Sequence, residues 1–99
     1  MKITDQILST IFDREDVPAN EAMRKSMANQ LNELGDKAQA MFEAWYNDGV
    51  RPKFEVNGIS SQMLRDKYKM SDIAVILSYD HILKQPKEAQ KVFVQKPLM

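Results

Sequence analysis

The chain has 99 residues, 43% hydrophobic and 28% charged, with three Gly and four Pro. This is the composition of one ordinary globular domain spanning 1–99. It holds no Cys and a single His, which excludes disulfides, thiolate metal sites and thiol nucleophiles.

The first element is an amphipathic helix over about residues 4–14, because Ile3, Ile7, Leu8, Ile11 and Phe12 share one half of a helical wheel. Thr4 is placed to cap it, Asp5 sits at its positive end, and Ile3 with Leu8 has hydrophobic-staple spacing. The acidic stretch Asp13-Arg14-Glu15-Asp16 followed by Val17-Pro18 ends it, since a proline disfavours helical geometry in the residue before it.

A long helix is expected next, over about 19–48. Met27, Leu31, Leu34, Ala38, Met41 and Trp45 alternate spacings of four and three, the seam of a packed helix, and Met23 extends it upstream. Gly49 followed by Pro52 stops it. Gly35 is a weak point, and Asp36 after it is able to cap a fresh helix. The seam keeps its register across Gly35, which favours one rod; the alternative is two helices of about 15 and 12 residues, with 18–34 folded back over Ile7, Ile11 and Phe12 in a closed monomer.

Residues 53–59 are the extended piece: Phe54-Glu55-Val56 alternates and Asn57-Gly58 is a turn pair. With no long strand beside it, a full hairpin is not expected, and the partner for a minimal two-stranded ribbon is 92–95. Ser60 or Ser61 caps a short helix to about Tyr68, and Ser71 caps another over about 72–84. In the latter, Val75, Ile76, Tyr79, Ile82 and Leu83 form the main apolar face, while Ile73, Ala74 and Leu77 are apolar on the other side. A helix greasy nearly all round belongs in the middle of a bundle. Pro86 ends it and opens a last helix through Glu88, Ala89, Val92 and Phe93. The fold class expected is all-α, a small bundle of four to five helices.

Fourteen bases cancel fourteen acids, so no net field draws the chain to nucleic acid or an anionic membrane. The charge is uneven all the same: residues 1–49 carry five bases against nine acids, and residues 50–99 nine against five. Two differing solvated faces explain this; complementarity between halves or subunits is the sharper reading. An acid at position 5 interrupts any secretory signal, and the longest apolar run, Ile73–Leu77, has five residues, against roughly 20 for a membrane span. A cytoplasmic location is expected, without membrane insertion.

Catalysis finds little support in the residues. Asp80 and His81 are helix neighbours that point about 100° apart, so Asp80 is expected to pair with Lys84 instead. There is no phosphate loop, nucleophile elbow or metal-ligand spacing. We expect no enzyme, cofactor, metal or small-molecule substrate.

The function expected is that of a non-catalytic protein acting through helix-mediated protein contacts, self-association as a homodimer included. Its interface residues are Met23, Met27, Leu31 and Leu34, on a long helix that overhangs a compact domain. The alternative is a DNA-binding regulator with a helix-turn-helix-like unit at 61–84, whose Arg65, Lys67, Lys69 and Lys84 contact nucleic acid. Against it, the recognition helix would begin with an acid and a greasy run, Asp72-Ile73-Ala74-Val75.

Overall fold

The computed structural model describes residues 2–16, 18 and 20–85. Within them the all-α expectation holds, with five helices and one minimal two-stranded ribbon. Helix α1 (Asp5–Arg14) begins where the Thr4 hydroxyl accepts the Ile7 N–H at 3.3 Å. Ile3 and Ile7 pack beside the buried Leu8 and Ile11. Beyond α1 the backbone turns at Asp16, which takes a left-handed φ of 52°.

The expected rod over about 19–48 is in fact two helices, α2 (Glu21–Asn32) and α3 (Asp36–Asp48). The interruption is a tertiary effect. Gly35 is extended, with φ −70° and ψ 170°, and its N–H donates to Asp80 Oδ1 at 2.9 Å. Lys84 Nζ donates to the Glu33 carbonyl at 2.6 Å and pairs with Asp80 Oδ2 at 2.7 Å. Gly35 is the N-cap of α3, and Asp36 stands one residue on, in its first turn. Breaking the rod lets Leu31 and Leu34 join Leu8 and Ile11 in one apolar cluster. The molecule then measures 40 × 27 × 25 Å, and the overhang on which an exposed seam depended is gone. Gly49, at φ 70°, closes α3, and the Val50 N–H reaches back to the Ala44 carbonyl at 3.2 Å.

The ribbon pairs β1 (Glu55–Val56) with β2 (Ile59–Ser60), Glu55 opposite Ser60 and Val56 opposite Ile59. Asn57 and Gly58 take φ values of 51° and 83°, which suits the two-residue turn that matches strand twist. A tight local hairpin therefore forms where none was expected. It survives at this size because Ser61, itself buried, accepts the Phe54 N–H at 3.1 Å and donates to the Phe54 carbonyl. The ribbon partner expected at 92–95 and the helix expected from Pro86 lie outside the described residues.

Helix α4 (Ser61–Tyr68) is capped by Ser60 and α5 (Asp72–Lys84) by Ser71, each hydroxyl accepting a backbone N–H three residues on. As its all-round hydrophobicity implied, α5 is central. Ile73 and Ile76 enter the cluster formed by α1, α2 and α3, while Val75 and Ile82 enter a second cluster with Phe54, Ile59 and Leu64. The apolar face differs from expectation: Tyr79 and Leu83 are only half-buried, whereas Ile73 and Asp80 are buried.

Candidate functional site

Helix α2 is weakly anchored. Asn20 caps it, its side-chain oxygen accepting the Met23 N–H at 2.9 Å, and Arg24 Nη1 donates to Ser9 Oγ of α1 at 3.3 Å. Of its twelve residues only Leu31 is buried. Met27 and Ala28 pack on the rim of the core, and Met23 is 40% exposed. A helix with so few buried side chains owes little of its stability to the chain's own core.

Between α1 and α2 runs an open groove of about 340 Å³, lined by Phe12, Ala22, Met23, Ser26, Met27 and Gln30. Phe12, at 6% exposure, forms its floor, and the two thioethers form a deformable apolar wall. No charged side chain lines it. The opposite side of α2 differs in character: a cleft there carries Asp5, Glu21, Arg24 and Lys25, two acids and two bases.

The four residues expected at an interface therefore part company. Met23 and Met27 share the groove. Leu31 and Leu34 are 3% and 9% exposed and belong to the chain's own core, so they offer no free surface. The correction follows from the break at residues 33–35, which turns the seam of α2 inward.

Of the four residues of the nucleic-acid alternative, Arg65 and Lys84 are held by partners within the chain. The Arg65 side chain is 10% exposed and is held by Asp72 at 3.2 Å and by the Pro52 carbonyl. Lys84 is bound to Asp80 and Glu33. Lys67 lies 5.7 Å from the Tyr68 ring centroid, and the exposed Lys69 ends α4 at a left-handed φ of 56°. At the start of α5, Glu15 Oε1 accepts the Ile73 N–H at 2.9 Å and Asp72 faces Arg65 and Arg51. Two carboxylates occupy the helix end where a phosphate would dock.

Asp80 pairs with Lys84, as its spacing implied. His81 is exposed and meets Gln85 Nε2 at 3.1 Å. Glu43 has its carboxyl held below the ordinary range because Gln39 Nε2 donates to it at 3.0 Å. That shift is the opposite of what a general acid working near neutrality requires. Among the described residues, no three His, Cys, Asp or Glu side chains stand together as a metal site. No helix among them is long and apolar enough to cross a membrane.

Among the contacts that escaped sequence reasoning are Asp80 on Gly35, Glu15 on the start of α5, and Arg14 against Trp45 and Tyr46. Their partners lie 45, 58 and 31 or 32 residues apart, beyond any periodic signal. No protein-family model matches the chain, and neither a curated protein nor a solved structure matches it.

Proposed function

We propose that the chain is a non-catalytic module working through helix-mediated protein contacts, and that the groove between α1 and α2 is where those contacts are made. The observation that carries this reading is the uncharged Phe12–Met23–Met27 groove beside a helix with one buried residue. A partner suited to it presents the apolar face of an amphipathic helix, whose side chains enter at i, i+3 and i+4 spacing. A second copy of the chain is one such partner. The cytoplasmic location belongs to the same proposal and rests on the sequence.

A photo-crosslinking residue placed at position 23 in living cells is expected to trap a partner chain. Adding Met27→Glu should abolish the product, because a carboxylate would be buried unpaired in the contact. Absence of product from the parent variant overturns the reading.

The nucleic-acid alternative makes a separate prediction. A regulator neutralising several phosphates binds random duplex with an affinity that falls steeply with salt. With Arg65 and Lys84 bound internally, we expect no such binding in a salt titration. Steep, salt-dependent binding lost on charge reversal of Lys67 and Lys69 would replace the proposed function.

A further inference from the structure

We infer that the chain is built to exchange its α1–α2 arm with a second copy, giving a domain-swapped dimer in which residues 33–35 straighten and α2 runs unbroken into α3. Three observations carry this. First, the seam Met27, Leu31, Leu34, Ala38, Met41, Trp45 holds its four-three alternation across the break, so the apolar pattern fits a straight helix whose weak point is Gly35. Secondly, nothing at Gly35 demands a bend: its φ is −70°, open to any L residue, and an added Cβ would come no nearer than 3.4 Å to a heavy atom, Asp80 Oδ1. Thirdly, the long-range hydrogen bonds seen at the bend come from α5, through Asp80 to the Gly35 N–H and through Lys84 to the Glu33 carbonyl.

The contacts joining arm to body are the same whether made within one chain or between two. Arg14 Nη2 donates to the Tyr46 carbonyl at 3.0 Å and its guanidinium lies 5.1 Å from the Trp45 ring centroid. Glu15 accepts the Ile73 N–H, and Leu8, Ile11 and Leu31 pack with Phe42, Trp45 and Ile76. A swap re-forms each of these across copies, so only the hinge changes. There the two α5 hydrogen bonds are exchanged for helical ones over residues 33–35, and the joined helix, 21–48, reaches about 42 Å at 1.5 Å per residue.

The exchange does not use the Met23–Met27 groove, so the two proposals fail separately. Gly35→Ala is the opening variant. Alanine favours the helix over glycine by about 5-fold per chain, hence by about 30-fold in the dimerisation constant. Asp36→Pro is the closing variant: proline suits the first helical position of α3, ψ 170° at Gly35 suits a residue preceding proline, and a continuous helix excludes it.

Full-length protein held at about 1 mM and then analysed by size-exclusion with light scattering is expected to contain dimer. Gly35→Ala should enrich that dimer, with slow dissociation on dilution because the arm must open. Asp36→Pro should return the chain, in the native or the Gly35→Ala background, to a folded monomer. Gly35→Ala that stays monomeric overturns the exchange. So does a dimer that persists through Asp36→Pro; if that dimer is lost with Met23→Glu, the copies meet through the groove and the proposed function stands alone.

Discussion

Replacing Ile76 with alanine is expected to destabilise the fold by about 2–5 kcal/mol, the usual cost of emptying a buried Ile or Leu site. Ile76 is fully buried, on the side of α5 that meets α1, α2 and α3. Truncation there opens a cavity against Phe42 and Trp45, aromatic groups held on α3 that leave little room for collapse. Against a total stability of about 5–15 kcal/mol for a domain, such a loss would be a large fraction. Leu83→Ala is the internal control. Its side chain is half-buried, so the loss should stay near 1 kcal/mol, about one or two methylenes of transfer energy. Urea titration followed by circular dichroism measures both, at a protein concentration low enough to exclude dimer. Equal losses at the two positions would mean that α5 is not seated between the two clusters as described.

Asp80→Ala is expected to cost about 1–2 kcal/mol, from losing the half-buried hydrogen bond to the exposed Gly35 together with the ion pair to Lys84. Asp80 is 8% exposed and accepts the Gly35 N–H through Oδ1 while pairing with Lys84 through Oδ2. The Lys84 side chain is 49% exposed, so water compensates much of its lost partner and the figure stays below that of a fully buried pair. Asp80→Asn separates the two contributions, because an amide oxygen still accepts from Gly35 while the charge is gone. It should recover about half of the loss. Denaturation midpoints of the two variants, measured at the same low concentration, decide the matter. An Asp80→Ala loss under half a kcal/mol would show that the bend between α2 and α3 is held by something other than α5.

Much of the local structure was legible because its causes are local. Thr4, Ser60 and Ser71 cap the helices that follow them, and Gly49 ends α3 in a left-handed turn. Each is decided within three or four residues, by a hydroxyl meeting an N–H or by a missing Cβ. The position of α5 was legible for a different reason. A helix apolar on two sides has to be covered on two sides, and the two clusters do so. The hairpin was missed through a judgement about length: Asn57-Gly58 carried the turn, but its stability at two residues per strand depends on the buried Ser61 bonding back to Phe54.

The candidate groove was half legible. Met23 and Met27 stood out as a stripe longer than a small core needs, and they line the groove. Leu31 and Leu34 belong to the same stripe yet are core, since periodicity reports which residues share a helix face and carries no information on what that face meets. The basic set Arg65, Lys67, Lys69 and Lys84 shows the same limit. A count of charges does not reveal that Asp72 and the Pro52 carbonyl hold one of them and that Asp80 and Glu33 hold another.

By itself, the sequence determined the all-α class, most helix ends, the centrality of α5 and the apolar side of α2. Only the tertiary structure decided that the rod expected over about 19–48 bends at residues 33–35. The apolar seam favours continuing, whereas Gly35, about 1 kcal/mol worse than alanine in a helix, locally favours a break. The carboxylate and ammonium that interrupt the rod come from Asp80 and Lys84, 45 and 51 residues further on. Gly35 and Asp36 marked the weak point locally, but the carboxylate and ammonium lie on α5 and reach the bend through its packing against α3, so the decision belongs to the assembled core.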